Sequence, residues 1–208
     1  KFEGEYLNDE RNGEGKEYYD NGELKFEGEY LNDERNGEGK EYYDNGELKF
    51  EGQYLYNYKL RGRAYIQGRL EYEGEYHYGR KYNGKGYDEN GEIIYELNNG
   101  NGKVREYDDN GELIFEGEYL NGERNGNGKE YNDDGELKFI GEYLNGEKNG
   151  KGKEYDQYGK IIFYGEYVNG KRWNGMGKEL NEKGTEDYII FEGEYLNGEK
   201  YEYLDEIK

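Results

Sequence analysis

Carboxylates are the most abundant side chains of this protein that could take part in catalysis. The 208 residues include 50 Asp and Glu, one His and no Cys. Two carboxylates act as general acid and general base when their surroundings push their pKa values apart. Here the acidic residues recur at the same positions of a repeated sequence, and nothing sets one pair apart from the others. We therefore predict no catalytic residue and no enzymatic activity.

Metal-binding, nucleophilic and phosphate-binding motifs are also poorly supported. His77 alone provides too few ligands for zinc and no partner for a nucleophile. Residues 13–16 (GEGK) have the composition of a phosphate-binding loop, but no helix follows the predicted strand in which they lie. Residues 20–23 (DNGE) lack the ligand spacing of a calcium loop. We expect no metal and no cofactor, with weak Ca²⁺ binding to clustered acids as the alternative.

The net charge of −21 restricts the partners of the chain. Such a charge repels nucleic acid phosphates, and it repels anionic lipids unless a basic segment faces them. No apolar run approaches the ~20 residues that span a bilayer, and no signal segment opens the sequence. We expect a cytoplasmic protein without a nucleic acid partner, for which membrane contact is disfavoured.

The sequence is built from repeats of about 24 residues. Residues 2–25 and 26–49 are identical, and an aromatic residue opens each further copy. Rings and glycines in fixed register favour an ordered fold, although an apolar fraction of only 31% is also found in disordered chains. We predict one array over 1–208, with a C-terminal cap at 191–208 and units that begin near Phe2, Phe26, Phe50, Tyr72, Tyr95, Phe115, Phe139 and Phe163.

Each unit contains two strand patterns. Residues 2–6 (FEGEY) alternate apolar or small residues with charged ones, which is typical of a half-buried strand, and residues 13–19 repeat this alternation after a polar loop at 8–12. Asn21-Gly22 then predicts a tight two-residue turn into the next unit. The fold class is therefore all-β: an open-ended antiparallel meander with two strands per unit. About 17 strands would form one elongated, twisted sheet of roughly 80 Å.

The charges indicate a register for these strands. If Tyr6 faces Gly13 across the first hairpin, Glu3 faces Lys16. A two-residue turn at Asn21-Gly22 places Glu27 on the other side of Lys16. One lysine would then lie between two glutamates on the face away from the aromatic residues, where such pairs contribute a few tenths of a kcal/mol each.

The opposite face, which we call the aromatic face, carries rings over glycines. Phe2 and Tyr6 would lie over Gly4 and Gly15, and the same arrangement recurs in each unit. Tyr18 and its equivalents are out of phase with these glycines. Either Tyr18 covers the face away from the aromatic residues, or a bulge near Lys16-Glu17 turns it toward the aromatic face.

The repeats closely resemble the MORN (membrane occupation and recognition nexus) repeat. The resemblance covers nearly the whole chain and is carried by FEGEYLNGERNGNGKEY at 115–131, IGEYLNGEKNGKGKEY at 140–155 and YEGEYHYGRKYNGKGY at 72–87. Tyr6 stands where the family often has Trp, and NGELKFEGEY is also similar to the variant repeat of bacterial antitoxin-like proteins. The resemblance implies elongated β-hairpin arrays that bind proteins along a groove or assemble into scaffolds, with some phospholipid contacts and no catalytic residue.

Irregular stretches interrupt the pattern, and the first of them is a basic band. Residues 2–25 carry a net charge of −5, whereas residues 50–71 carry +2. The band could bind a carboxylate-rich partner or a second copy of the chain; a solvated face on a degenerate repeat is the alternative. Its candidate binding residues are Lys59, Arg61, Arg63, Arg69, Arg80 and Lys81.

Two later units depart from the pattern in length. The unit at 95–114 is short, which should bend or weaken the array there. The unit at 163–190 is long, with Trp173 at a hairpin tip and an extra turn at 181–187. Trp173 is a candidate partner-binding anchor, unless it folds back onto the sheet.

These observations favour a non-enzymatic scaffold for protein–protein interaction or assembly, which presents a long β-sheet groove. Its aromatic face or its basic band would hold a protein partner or a second copy. The alternatives are an antitoxin-like binder that neutralises a bacterial toxin, or a peripheral adaptor for phosphoinositides and membranes. A repeat indicates the surface that it forms but not the partner of that surface.

Overall fold

The computed structural model describes residues 1–180 and 189–202, apart from the side chains of Leu180 and Ile189. These residues form eighteen strands, and each strand follows the previous one in an antiparallel meander. The strands are β1 Phe2–Leu7, β2 Glu10–Tyr18, β3 Leu24–Leu31, β4 Glu34–Tyr42, β5 Leu48–Leu55, β6 Tyr58–Ile66, β7 Arg69–His77, β8 Arg80–Tyr87, β9 Ile93–Leu97, β10 Gly102–Tyr107, β11 Leu113–Leu120, β12 Glu123–Tyr131, β13 Leu137–Leu144, β14 Glu147–Tyr155, β15 Ile161–Val168, β16 Lys171–Leu180, β17 Ile189–Leu196 and β18 Glu199–Glu202.

The predicted all-β antiparallel meander is confirmed, but it is divided into two sheets rather than one. Strands β1–β9 form one nine-stranded sheet and β10–β18 form the other. Between them, Asn98 and Asn101 form only an isolated bridge. The unit at 95–114 has lost part of its first strand, so β9 is five residues long and ends at Leu97, before this bridge. The array is interrupted where its weakening was predicted.

The chain also separates into two compact units. Unit 1 contains residues 1–104 and 109–111, and unit 2 contains residues 105–108 and the described residues from 112 onward. The predicted extra turn at 181–187 lies outside the described residues, and the predicted cap at 191–208 is described as far as Glu202. The division into repeat units and a cap stays a prediction.

The hairpin within each unit has a tighter turn than predicted. Asn8 and Asp9 both have positive φ, 52° and 66°, and they form a two-residue turn in place of the expected polar loop at 8–12. Two successive positive φ values match the right-handed twist of the flanking strands. Glu10 and Arg11 already belong to the ladder, opposite Leu7 and Tyr6, and a bulge follows Arg11 in β2. Tyr6 therefore pairs with Arg11 rather than with Gly13.

The connection between units is looser than predicted. The amide of Tyr19 donates to the carbonyl oxygen of Glu23 at 2.9 Å, and Gly22, with φ +91°, ends a three-residue loop. Asn21-Gly22 is therefore not a two-residue turn. Lys16 nevertheless pairs with Glu27, as predicted, because a bulge in β3 compensates for the longer loop.

The bulge in β3 also explains the position of Tyr18. It lies at Lys25, in the strand next to Tyr18, and therefore leaves the alternation of β2 intact. Tyr18 shares the face of Lys16, and its hydroxyl donates to Glu3 Oε2 at 3.1 Å. We call this the charged face. The first of the two predicted positions of Tyr18 is the observed one.

The core is a ladder of aromatic rings on the aromatic face. Phe26 is fully buried and forms edge-to-face contacts with Tyr30 and Tyr54, with ring centroids 5.6 and 5.2 Å apart. Equivalent rings make the same contacts along each unit. Glycines give these rings direct access to the backbone: a Cβ at Gly39 would lie 2.5 Å from Phe26 Cζ. The predicted placement of rings over glycines is confirmed.

A second ladder, made of ion pairs, covers the rings and was not predicted. The Arg35 guanidinium lies 4.0 Å from the centroid of Phe26 and donates to Glu17 Oε2 at 2.8 Å. Tyr30 also donates to Glu17, at 2.8 Å. Burial alone would raise the pKa of Glu17, but the hydrogen bonds from Arg35 and Tyr30 outweigh it, and the pKa lies below its ordinary value. Arg, Glu and Tyr are thus part of the core.

This ladder predicts a loss of stability in acid. Glu130, on the same face, is paired with Lys148 at 2.9 Å and with Arg124 at 3.1 Å. Burial opposes its ionisation, yet the Lys148 hydrogen bond keeps the pKa of Glu130 below its ordinary value. Because the folded pKa lies below the unfolded value of about 4.3, this stabilisation is complete above about pH 5 and is lost as the pH falls through the folded pKa.

The measurement is chemical unfolding of the wild type and of Glu130→Gln at several pH values. At pH 7 we expect the variant to be less stable by about 1–2 kcal/mol, the scale of hydrogen bonds to charged groups. At pH 3 the difference should be smaller, because the carboxyl group of the unfolded chain is then protonated and the stabilisation is lost as the pH falls through the folded pKa. An unchanged difference between pH 7 and pH 3 would contradict this account.

Candidate functional site

A groove of about 1030 Å³ lies on the charged face of β1–β7 in unit 1. Its floor is the backbone of a row of paired glycines, and charged side chains rise on both sides. The glycines are Gly4, Gly15, Gly28, Gly39, Gly52, Gly62 and Gly74. Because these strands place their rings on the other face, the groove is open to solvent.

One side of the groove alternates in charge from strand to strand. Lys16 lies 3.2 Å from Glu27, and Arg63 lies 2.8 Å from Glu73. The hydrogen bond from Tyr42 and the contact with Lys16 hold the pKa of Glu27 below its ordinary value. We call this side the alternating wall; it consists of Glu3, Lys16, Glu27, Lys40, Glu51, Arg63 and Glu73. Most of its charge is neutralised within the protein.

The other side, the acidic wall, is not neutralised in this way. Glu14 and Glu29 face each other directly across β2 and β3, and like charges in this position are destabilising. Toward the other end, Gln53 donates to Glu38 at 2.7 Å and accepts from Arg61 at 2.8 Å. The acidic wall consists of Glu14, Glu29, Glu38, Gln53, Arg61 and Glu75. The acidic wall is therefore most negative over β2–β4, and its one cation, Arg61, lies on β6.

The predicted basic band does not lie on one surface. Arg61 and Arg63 line the groove. Lys59 lies on the aromatic face, 4.6 Å from the centroid of Phe50 and 3.0 Å from Glu41. The three residues have the same parity in sequence, but a bulge between Lys59 and Arg61 shifts the alternation of β6. Lys81 is also on the aromatic face, where it pairs with Glu71 at 2.7 Å.

The other predicted binding residues lie apart from the groove. Arg69 is 3.4 Å from Glu89, and Arg80 is exposed at the start of β8. In unit 2, Trp173 is half-buried in a bulge of β16, and its ring lies 3.3 Å from the position that a Cβ on Gly198 would take. The ring thus folds back onto the neighbouring turn. A role of these residues in partner binding stays a prediction.

Sequence reasoning identified the cations of the groove but missed the groove itself. The repeated Glu, Gly and Lys positions indicated one charged face. They did not show that the face is concave, because the bulges that bend the strands were not predicted at their observed positions. Within the described residues, no cluster of His, Cys, Asp or Glu is arranged to hold a metal ion. None of the described residues forms a helix that could span a membrane.

Comparison with protein families agrees with this geometry. Residues 26–47, 115–136 and 139–157 match the MORN repeat, and residues 11–32 and 100–121 match the MORN repeat variant. The chain is a MORN-repeat protein. No curated protein matches it. MORN repeats are generally binding or adaptor modules for proteins or membranes and are typically non-catalytic. A groove with charged walls is a surface suited to such a module.

Proposed function

We propose that this MORN-repeat protein is a non-enzymatic scaffold that binds a protein partner in the groove of unit 1. The observation that carries the proposal is an open groove of about 1030 Å³ with a floor of glycine backbone between charged side chains. Seven strands spaced by about 4.8 Å give it a length of roughly 30 Å, which accommodates about nine residues of an extended segment. Its walls would select side chains by charge, and electrostatic complementarity favours specificity and fast association.

The aromatic face does not compete for this role. Phe26, Phe50, Phe115, Phe139 and Phe163 have no exposed surface. A partner could reach these rings only by displacing the ion pairs that cover them. Because its rings form the core, we favour the groove over the aromatic face, and partner binding at the aromatic face stays a prediction.

The charged walls determine which class of partner fits best. Eight carboxylates and four cations line the groove. An anionic membrane would therefore be repelled over most of the length of the groove. A protein segment can instead place Lys or Arg along the acidic wall and one acidic residue near Arg61 and Arg63. An antitoxin-like role would be a special case of this proposal, in which the bound segment belongs to a toxin.

The test is a charge reversal at the basic end of the groove. A partner is first identified by cross-linking from a photoreactive residue at position 53, with position 23 in an exposed turn as the control site. Its affinity is then measured for the wild type and for Arg61→Glu/Arg63→Glu. We expect at least a tenfold loss, which is the scale of truncating a charged group at an interface.

A matched control separates this effect from general electrostatics. Lys138→Glu/Lys171→Glu changes the net charge equally, but both residues are exposed in unit 2. We expect the control variant to bind as the wild type does. Equal loss in both variants, or cross-linking from position 23 alone, would refute the groove as the binding surface.

A further inference from the structure

A recurring feature of the charged face is a glutamate whose carboxylate accepts hydrogen bonds from two side chains on the next strand. In unit 2, Glu116 accepts from Lys129 Nζ at 2.7 Å and from the Tyr131 hydroxyl at 2.9 Å. These hydrogen bonds hold the pKa of Glu116 below its ordinary value. Glu27 accepts from Tyr42 in the same way in unit 1, at 2.8 Å. Lysine, tyrosine and glutamate thus form a triad on the charged face.

The next repeat keeps the two donors and lacks the acceptor. Ile140 occupies the position of Glu116, directly across from Lys153. Tyr155 corresponds to Tyr131, because both end the second strand of their hairpin. Lys153 is exposed and Tyr155 is half-buried. Within the described part of the chain, neither side chain has an ion-pair or hydrogen-bond partner.

The strand on the other side of Lys153 provides no acceptor either. Tyr164 faces Lys153 from β15 and is 53% exposed. In unit 1, by contrast, Arg63 at the equivalent position lies between Glu51 and Glu73. Lys153 therefore lies between two apolar side chains, Ile140 and Tyr164, on an open sheet face. We call Lys153 and Tyr155, which lack the glutamate of the triad, together with the flanking Ile140 and Tyr164, the vacant triad.

We propose that the vacant triad binds an acidic side chain of a partner protein, flanked by apolar residues, as a second docking surface distinct from the groove of unit 1. The partner carboxylate would accept from Lys153 Nζ and the Tyr155 hydroxyl, as Glu116 accepts from their equivalents. Apolar residues on either side would cover Ile140 and Tyr164. The chemistry fits a single carboxylate because that is the group which the same pair of donors binds in the preceding repeat.

The surroundings also favour a protein segment over a free anion. A lone carboxylate would leave the exposed Tyr164 ring in water, whereas an extended segment alternates its side chains and can present an acid between two apolar groups. Hydrogen bonds in which one group is ionised are roughly twice as strong as neutral ones. Replacing the glutamate of the bound segment by glutamine should therefore weaken binding of the segment to the vacant triad.

The experiment uses the full chain and a capped seven-residue peptide with one central Glu among Val and Leu. Binding is followed by NMR, with a peptide in which Gln replaces Glu as the chemical control. We expect shifts at Lys153 and Tyr155 but not at Lys129 and Tyr131, whose acceptor is already present. The Gln peptide should bind at least about tenfold more weakly.

The variant Ile140→Glu makes the test specific. It supplies the missing acceptor within the chain and should abolish peptide binding at this position while the fold is retained. The variant Ile140→Val, which leaves the position apolar, should bind the peptide as the wild type does. Undetectable shifts at Lys153 and Tyr155 in the wild type, equal affinity of the Gln peptide, or unchanged binding by Ile140→Glu would each overturn the proposal.

Discussion

Replacing Phe139 by alanine is expected to lower the free energy of unfolding by about 4 kcal/mol, the middle of the range for buried phenylalanines. The ring is fully buried and forms edge-to-face contacts with Tyr143 and Tyr167, at 5.5 and 5.2 Å. Lys148 Nζ lies 4.3 Å from its centroid. One substitution therefore removes ring contacts in two adjacent hairpins and the ring on which Lys148, paired with Glu130, packs.

The measurement is guanidinium unfolding followed by circular dichroism, with Tyr158→Ala as the matched control. Tyr158 is also aromatic and belongs to the same unit, but it is 61% exposed. Its removal should change the unfolding free energy by less than about 0.5 kcal/mol. A loss below about 1.5 kcal/mol for Phe139→Ala would show that the rings are not the main source of cohesion between the hairpins.

The second large effect is expected from adding a methyl group beneath the same ring. A Cβ at Gly152 would lie 2.6 Å from both Cε2 and Cζ of Phe139 and 3.1 Å from Cε2 of Tyr167. Neither ring can move without losing its edge-to-face contact. We expect Gly152→Ala to reduce the unfolding free energy by about 2–3 kcal/mol, the upper part of the range for overpacking.

The control for this prediction is a glycine that is required for a different reason. Gly146 has φ +86° in a turn, and nothing lies within 4 Å of its added Cβ. Gly146→Ala should cost about 1 kcal/mol through backbone strain alone. Combining Gly152→Ala with Phe139→Leu should cost less than the sum of the two single changes, because the smaller side chain relieves the clash. Strict additivity would argue against a direct contact.

Rings and glycines explain how so few apolar residues hold the chain together. Only 31% of the residues are hydrophobic, but a buried phenylalanine such as Phe26 contacts two tyrosines and a glycine-lined backbone. The cations above the rings also contribute, since an Arg or Lys over an aromatic ring is stabilising by about 0.5–2 kcal/mol. The core is therefore a repeated contact between neighbours, as in other repeat proteins. The opposite face is left free to bind partners.

The two proposed docking surfaces differ in chemistry. The groove of unit 1 presents walls of charge above a glycine floor, and its alternating wall is neutralised internally. The vacant triad of unit 2 presents two donors, Lys153 and Tyr155, that have no acceptor within the described residues, beside Ile140 and Tyr164. Both result from departures from one repeat: Gln53 and Arg61 interrupt an acidic wall, and Ile140 interrupts a ladder of ion pairs. A partner that contacts one surface need not resemble a partner that contacts the other.

The amino-acid sequence alone determined the fold class, the number of strands per repeat and the pairing of Glu3 with Lys16 and of Lys16 with Glu27. It could do so because strand alternation, repeat length and cross-strand charge are local properties that recur in every copy. Turns with Asn, Asp or Gly at their tips recur along the chain and would have suggested the meander even without a known family.

Only the tertiary structure decided where the bulges lie and to which face of the sheet they direct the neighbouring side chains. A bulge adds one or two residues to one strand, and its position depends on how the neighbouring strands twist and pack as well as on residues such as Gly13, with φ +78°. The bulges placed Lys59 on the aromatic face, kept Tyr18 on the charged face and paired Tyr6 with Arg11. They also brought Arg35 and Glu17 together over a ring, at positions that look like ordinary surface charges in the sequence. The two faces of the sheet, and so the sites where partners could bind, follow from this packing.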